Sequence, residues 1–416
     1  MDEPVDSLIK LIYEYLYGEV LSDELFENFP FSRVAEIAQG VRELSNLYTR
    51  QRTKLSPRLL NRSVLRKAYL GYFLPCNLVK VRRIFQEILA HPQGASHFAG
   101  RRRLLDIGCG PGTGLLGFLS LLADRTVLTE SLECVALDSA GANLQDAEDL
   151  FRRYSCALNR SQDLTLRTCQ AELSHSPSLN LDGKFDFVIF GNVLNELFRD
   201  RKDRIERRSE LVAVLAQERL STDGFLVLLE PALKETSREL LLLRDRLLDR
   251  TNLRVYAPCV HSLHCPAVAP ENLSDWCHED RFWVSPGPIR AIDDLIGIRK
   301  ESLKYSYTVF NRLGLSVAEA ALWQARNRGK VPAAGGSGGQ VWRVVSELLE
   351  EKGKSSAFLC GAQGRARVTL LQKHGSETNR DFGSLERGQV VFAQALRMKG
   401  PLDWRVEAET LIEDWM

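Results

Sequence analysis

The sequence predicts an α/β fold: a doubly wound, mostly parallel sheet that follows an N-terminal helical region and precedes a small C-terminal β domain. Three observations predict this. Apolar residues recur at spacings of three and four in the first hundred residues, as on helices. From Arg103 onward, short apolar runs typical of buried strands alternate with helical segments, and after residue 338 short alternating segments are separated by glycine-containing turns. We therefore expect domains at residues 1–100, 101–330 and 338–416.

The N-terminal region is predicted to be helical and partly basic. One helix face is formed by Val34, Ile37, Val41, Leu44 and Leu47. A further helix is expected at residues 79–89. Residues 50–103 contain thirteen Lys and Arg but a single acid, Glu87. This surplus predicts a surface for a polyanion such as RNA, and the alternative is a solvated helix face.

The central region alternates between predicted strands and helices. The predicted strands are residues 104–107, 134–138, 164–168, 185–190, 224–231 and 304–310. Helices are expected at residues 114–122 and 236–248. A Gly-rich linker is predicted at residues 330–339. Short strands then follow at residues 341–349, 357–360, 367–371 and 390–393, a pattern that predicts a small barrel resembling an oligonucleotide-binding fold.

A glycine-rich segment follows the first predicted strand and reads Asp106-Ile107-Gly108-Cys109-Gly110-Pro111-Gly112. Glycine allows a sharp turn from strand to helix and a close approach of a ligand to the backbone. The acid two residues before the first glycine suits the cationic methionine end of S-adenosylmethionine, and Asp138, which ends the second strand, suits ribose hydroxyls. The spacing therefore predicts a class I methyltransferase loop; a nucleotide site and an empty turn are the alternatives. The predicted cofactor-binding residues are Asp106, Gly108, Cys109, Gly110, Gly112, Asp138 and Asn192.

The segment after the fourth strand, residues 191–196, identifies no catalytic residue. It lacks the Pro-Pro-aromatic turn with which amino-group methyltransferases hold their target, and it has no cysteine for attack on cytosine. Glu196 is a candidate base, but a Glu at a helix start more often caps the helix. Methyl transfer to a good nucleophile can also proceed by proximity alone. We therefore assign no catalytic residue.

Four cysteines form the second candidate site. Cys259, Cys265 and Cys277 follow one another with five and then eleven residues between them, in a predicted insertion at residues 256–285, and Cys360 lies further along. Dense thiols without secretory features usually hold a metal or an iron–sulfur cluster. Four thiolates would bind such a cluster or zinc. In a zinc site one of the nearby histidines could replace a cysteine; these are His261, His264 and His278. Plain burial of the cysteines is the third alternative.

Composition excludes a membrane protein and a secreted one. No apolar run reaches the ~18–20 residues that cross a bilayer. The acidic N-terminus lacks the basic and apolar regions of a signal peptide and the Arg/Ser-rich character of a transit peptide, so we expect neither. The nine cysteines are an odd number, which argues against a disulfide framework. We expect a cytoplasmic protein of a bacterium.

Five segments carry a resemblance to a known family. They are residues 68–75, 106–112, 259–266, 275–278 and 304–307. On these segments the chain resembles the methyltransferase-like family of small-ribosomal-subunit assembly proteins, found on mitochondrial ribosomes and in bacterial relatives. It departs at Val260, where the family often has proline, and at Glu279, where an aromatic residue is common.

The resemblance implies a class I methyltransferase fold with a 4Fe–4S cluster. The implied ligands are Cys259, Cys265, Cys277 and Cys360. It also implies contact with small-subunit rRNA and the small ribosomal subunit. We therefore expect a protein that binds S-adenosylmethionine and methylates small-subunit rRNA. The alternatives are an assembly factor that keeps the fold without catalysis, and a small-molecule methyltransferase, for which no salt-dependent RNA binding is expected.

Overall fold

The computed structural model describes residues 3–54, 59–124, 127–173, 181–329 and 339–415. Apart from Gly339, the predicted linker at residues 330–339 lies outside these described residues. The chain forms two compact units. The first contains residues 1–199, 218–221 and 282–303, and the second contains residues 200–217, 222–281 and 304–416.

The helices and strands are given in chain order. The α-helices are α1 (Glu3–Tyr17), α2 (Asp23–Glu27), α3 (Phe31–Thr49), α4 (Ser63–Ala68), α5 (Leu74–Leu89), α6 (Gly94–Phe98), α7 (Thr113–Leu119), α8 (Gly141–Ala157), α9 (Arg204–Arg219), α10 (Lys234–Arg250), α11 (Gly287–Ile296) and α12 (Val317–Asn327). The strands are β1 (Gly100–Ile107), β2 (Thr129–Asp138), β3 (Leu164–Gln170), β4 (Phe185–Gly191), β5 (Leu220–Pro231), β6 (Arg254–Ala257), β7 (Glu279–Phe282), β8 (Ser302–Asn311), β9 (Gly339–Val344), β10 (Leu349–Glu351), β11 (Lys354–Gly361), β12 (Gly364–Leu371), β13 (Val390–Gln394), β14 (Arg397–Gly400), β15 (Asp403–Val406) and β16 (Leu411–Asp414). A π-helical turn, Tyr69–Phe73, joins α4 to α5.

The first unit contains four parallel strands in the order β3-β2-β1-β4. Strand β1 lies in the middle and pairs with β2 on one side and β4 on the other. Its apolar half, from Leu104 to Ile107, is buried. The carboxyl ends of parallel neighbours meet at one edge of a sheet, so Asp138 of β2 and the residue after β4 lie at the edge where the glycine loop leaves β1. The predicted α/β fold with a parallel sheet is confirmed.

Helices and aromatic side chains complete the core of this unit. The predicted apolar face of α3 is buried, because Val34, Val41 and Leu44 have no exposed surface. Phe118 of α7 packs between two other rings, with centroid distances of 4.9 Å to Phe85 of α5 and 4.8 Å to Phe187 of β4. These contacts hold the helix that follows the glycine loop against the sheet.

Nearly half of the thirteen basic side chains of residues 50–103 are paired with acids from other parts of the same unit. Among the described residues, the ion pairs of this stretch include Arg62–Glu43, Arg66–Asp146, Lys67–Glu36, Arg82–Asp124, Arg102–Asp186 and Arg103–Glu133. Arg82 and Asp146 are almost completely buried in these pairs. The count of charges in the sequence therefore overstates the positive charge that this stretch presents to a polyanion.

The second unit contains two groups of strands. In one group β8 pairs antiparallel with β5 and with β6. The other is an eight-stranded sheet in the order β14-β15-β12-β11-β9-β13-β16, with β10 paired to β11. The core of that sheet includes Trp342 and Trp404, whose rings lie 5.9 Å apart. The similarity to an oligonucleotide-binding fold stays a prediction.

The length and hydropathy of the helices bear on membrane insertion. In the part of the chain that the structure describes, none of them is both long enough and apolar enough to cross a bilayer.

Candidate functional site

The loop between β1 and α7 has a backbone that requires glycine. Gly108, Gly110 and Gly112 have φ angles of 67°, 53° and 88°. These left-handed values are costly for residues with a side chain. Gly108 is also crowded, since a β-carbon there would lie 2.3 Å from Cγ2 of Val193. The loop therefore has no side chains at these three positions, and it packs tightly against the segment that follows β4.

Asp138 is bound across this loop. Its Oδ2 atom accepts a hydrogen bond from the backbone N–H of Gly110 at 2.9 Å. Its Oδ1 atom accepts two more, from the N–H of Ala140 at 2.9 Å and from Nδ2 of Asn143 at 3.1 Å. A carboxylate oxygen can accept about two hydrogen bonds, so Oδ2 keeps the capacity for another donor. The structure thus places the predicted ribose-binding acid directly beside the glycines.

Asp106 is buried beneath the same loop, with 1% of its surface exposed. Its Oδ2 atom accepts a hydrogen bond from the N–H of Leu115 at 2.8 Å, which stabilises the first turn of α7. Burial raises the pKa of this carboxyl to about 7. The Oδ1 atom is buried without a hydrogen-bond partner. Asp106 therefore stabilises the start of the helix, a role that the sequence did not predict, and its Oδ1 atom forms no hydrogen bond within the described residues.

Asn192 is the first residue after β4 and has a left-handed φ of 58°. Its backbone oxygen accepts a hydrogen bond from Nδ2 of Asn195 at 3.0 Å. Asn195 in turn accepts one from Nη2 of Arg52 at 2.7 Å. The Nδ2 atom of Asn192 is buried without a partner. Among the described residues, the carboxyl edge of the sheet thus carries a buried unpaired donor on Asn192 and a buried unpaired acceptor on Asp106.

Two further residues near the loop differ in their surroundings. Cys109 is buried against Ala136 and Leu144, and this burial raises the pKa of its thiol well above the usual range. Glu196 lies in a turn, so the expected helix start at this position is wrong. Its side chain is exposed at one side. The loss of water on the other side raises the pKa of its carboxyl to about 7, although the charge of Arg199 acts in the opposite direction.

The four predicted ligand cysteines line one cavity within the second unit. They are Cys259, Cys265, Cys277 and Cys360. The cavity has a volume of about 40 Å³, whereas one buried water needs roughly 10–15 Å³. Leu241 of α10 and Tyr307 of β8 contribute to its wall. The fold thus brings Cys360 of β11 to the three cysteines of the insertion.

Burial favours the neutral form of three thiols of this cavity. Burial raises the pKa of Cys265 to about 12, and it raises the pKa values of Cys277 and Cys360 as well. The other thiols of the cavity add to each of these shifts. Metal ligation requires the thiolate form, so a metal bound here would replace the thiol protons, which would leave to solvent.

The three histidines near the cysteines separate into two groups. His264 is 70% exposed and bonds to Asp249 at 2.9 Å, so it lies away from the cavity wall. His261 and His278 line the cavity. Both ring nitrogens of His261 are buried without hydrogen bonds, and burial lowers its pKa to about 4. Among the residues that the structure describes, no three His, Cys, Asp or Glu side chains stand close enough together to hold a metal ion.

A family comparison identifies the relatives of this chain. The model of the family described as mitochondrial small ribosomal subunit Rsm22 matches residues 38–389. The chain belongs to the Rsm22 family. The matched range includes the glycine loop, Asn192 and all four cavity cysteines. The predicted relation to small-ribosomal-subunit proteins is therefore confirmed, whereas the expected bacterial cytoplasm stays a prediction.

Solved structures and curated proteins provide two further comparisons for this Rsm22 family member. The methyltransferase domain of bacterial CtHen1 is 15% identical over 58% of this chain and 100% of that one, with a TM-score of 0.32. A proposed class I S-adenosylmethionine-dependent methyltransferase from Listeria monocytogenes is 12% identical over 74% and 80% of the chains, with a TM-score of 0.33. No curated protein matches the sequence.

Proposed function

We propose that this Rsm22 family protein binds S-adenosylmethionine at the glycine loop and methylates rRNA of the small ribosomal subunit. The observation that carries the proposal is the carboxyl edge of the first sheet. There Asp138 is bound to the N–H of Gly110, and unpaired polar atoms of Asp106 and Asn192 remain. The family relation supplies the ribosomal partner.

Each residue of this edge has a role in the proposal. The bare backbone from Gly108 to Gly112 admits the cofactor, and Asp138 accepts hydrogen bonds from ribose hydroxyls. Asp106 Oδ1 and Asn192 Nδ2 hold the ammonium and carboxylate of the methionine part. The cofactor supplies an electrophilic methyl group, so the chain has to orient it and exclude water. If the atom that receives the methyl group has to lose a proton, Glu196, with a pKa of about 7, would be the base that takes it.

A second function is favoured by one observation. The turn after β4 has neither a proline nor an aromatic residue to hold a target nitrogen. An assembly factor that binds the small subunit and keeps the methyltransferase fold without methyl transfer would need neither a proline nor an aromatic residue at this turn. Substitution of Asp138 distinguishes these functions.

Asp138→Ala is expected to weaken S-adenosylmethionine binding about 10–100-fold, because hydrogen bonds to a charged group each contribute ~1.5–3 kcal/mol. Calorimetry with S-adenosylmethionine measures this loss, and labelled cofactor measures methyl transfer to purified small subunits. Asp163→Ala, which removes an exposed acid that pairs with Arg160, is the control. Loss of label with retained subunit association supports the enzyme. Cofactor binding without any label in the wild type supports the assembly factor, and absence of cofactor binding contradicts both.

We also propose that the cysteine cavity holds a 4Fe–4S cluster, with zinc as the alternative. Its support is the donor set, since four thiols line one cavity and such clusters are held by four cysteine thiolates. The residues that would hold the cluster are Cys259, Cys265, Cys277 and Cys360. Its role there would be structural, because it would link the loop before β7 to β11 of the C-terminal sheet.

Anaerobically purified protein is expected to contain about four irons and four sulfides per chain. Cys277→Ala should lower both contents and make the C-terminal sheet more sensitive to limited proteolysis, since one of the four ligands is lost. Cys156→Ala changes an exposed thiol of α8 and should change neither. One zinc without sulfide would favour the zinc site. A wild-type protein without any metal would contradict the proposal.

A further inference from the structure

We infer that three arginines, Arg238 and Arg244 of α10 and Arg365 of β12, are positioning residues that hold the chain segments of the four thiols around one cavity. The inference rests on the proposed four-thiol site. Each of the three arginines bonds to a segment of the chain that lies beside the thiols, and two of them meet at Asp275. Together they would fix the shape of the cavity before any metal enters it.

Arg244 holds the segment between Cys259 and Cys265. Its side chain has no exposed surface. Its Nη2 atom donates to the carbonyl oxygen of His261 at 2.8 Å, and Nη1 donates to that of Leu263 at 2.8 Å. Arg244 also pairs with the neighbouring Asp245, whose Oδ2 accepts the N–H of Cys265 at 2.9 Å. Helix α10 thus fixes both the backbone between these cysteines and the second cysteine itself.

Arg238 holds the longer segment between Cys265 and Cys277. Its Nη1 atom lies 2.8 Å from the carbonyl oxygen of Ala267, 2.9 Å from that of Asn272 and 2.5 Å from that of Asp275. Apart from a 3₁₀ turn at Pro266–Val268, this segment has no regular structure. A single guanidinium therefore supplies the donors that a helix or sheet would otherwise give to these carbonyl groups.

Arg365 connects this segment to the fourth thiol. It is the cross-strand neighbour of Cys360, in the antiparallel pair β11 and β12. Its Nη1 atom forms an ion pair with Asp275, two residues before Cys277. The strand that carries Cys360 is thereby tied to the loop that carries Cys277. The three arginines thus bond to the segments between Cys259 and Cys277 and connect them to the strand next to Cys360.

The location of this positive charge argues for a role beyond packing. A fully buried guanidinium is costly unless it is paired, and apolar residues of similar volume often stabilise a protein better. Arg244 nevertheless lies beside a thiol-lined cavity, where four thiolates and a metal would carry net negative charge. The buried guanidinium of Arg244 would offset that charge. Its two terminal nitrogens at the same time hold the carbonyl groups of His261 and Leu263.

Cobalt binding to the metal-free full chain tests the inference, because four thiolates give Co²⁺ a characteristic visible spectrum. Arg244→Lys keeps the charge but loses the forked donors, and Arg238→Met removes the donors of Nη1. We expect each to weaken Co²⁺ binding about 10–100-fold, as removal of supporting contacts around metal ligands does. Arg246→Lys, on the same helix but paired with Glu206, is the matched control and should bind as the wild type does.

Two measurements separate positioning from a loss of stability. Thermal unfolding of each metal-free variant gives the folded fraction, and the fall in Co²⁺ affinity should exceed what that fraction explains. Arg365→Lys, at a side chain that is 29% exposed, serves if a buried variant does not fold, and it should also weaken binding. Equal affinities in the wild type and all folded variants would overturn the inference. A wild type without a thiolate spectrum would overturn the proposed metal site itself.

Discussion

Gly108→Ala is expected to lower the free energy of unfolding by about 2–5 kcal/mol and to remove S-adenosylmethionine binding. The left-handed backbone, at φ 67°, costs an alanine ~1–2 kcal/mol. The new methyl group would also lie 2.3 Å from Val193 Cγ2, and such overpacking costs ~1–3 kcal/mol more. Relief of this contact would have to move the turn that carries Asn192. Urea unfolding and calorimetry with the cofactor measure the two effects.

Gly18→Ala is the matched control for this prediction. Gly18 has a φ of 68°, almost the same as Gly108, but among the described residues other than its chain neighbours no atom lies within 4 Å of the position of its β-carbon. The control therefore isolates the cost of the backbone, which we expect to be ~1–2 kcal/mol without any loss of cofactor binding. If both substitutions destabilise the protein equally, the contact with Val193 has no influence on the loop.

Glu279→Gln is expected to destabilise the second unit by about 3–5 kcal/mol, the usual effect of breaking a buried ion pair. The carboxylate lies 3.0 Å from Nη2 of Arg343 and 3.1 Å from Nε of Arg281, with only 5% of its side chain exposed. Burial alone would raise the pKa of Glu279, yet the two arginines, with Arg387, lower it. The substitution removes the negative charge that stabilises the positive charges of Arg281, Arg343 and Arg387.

Denaturant unfolding and limited proteolysis measure the effect of Glu279→Gln. Because Glu279 is in β7 and Arg343 is in β9, we expect earlier cleavage within the C-terminal strands. Glu350→Gln changes an exposed carboxylate of β10 and is the control, with an expected change within ~0.5 kcal/mol. Equal stability of the two variants would show that the buried pair does not hold β7 to β9.

The sequence predicted the strands that are buried on both faces, since such strands appear in a sequence as short continuous apolar runs. Strand ends were harder to predict. Strand β1 begins at Gly100, before the predicted residue 104, because Arg101 to Arg103 are polar but still pair with β2. Helix α9 was missed, since its many charges hide the apolar face. Strand β6 was also missed, because four residues carry too little periodicity.

The candidate sites were predictable where backbone geometry restricts the residue type. The glycines at 108, 110 and 112 have left-handed backbones, so their spacing indicated the loop directly. Cys360 is different, because only the folding of β11 brings it to the other thiols. The bonds of Arg238 and Arg244 to backbone carbonyl groups have no sequence signal at all, since any residue type supplies a carbonyl oxygen.

The position of Cys360 in the chain has a consequence for the order of events during synthesis. A chain leaves the ribosome N-terminus first, so Cys259, Cys265 and Cys277 emerge well before the fourth thiol. A product truncated before β11 would present three of the four cavity cysteines and lack the strand that completes the wall. If the four thiols are the ligands, a loaded metal marks a chain whose translation has reached the C-terminal sheet.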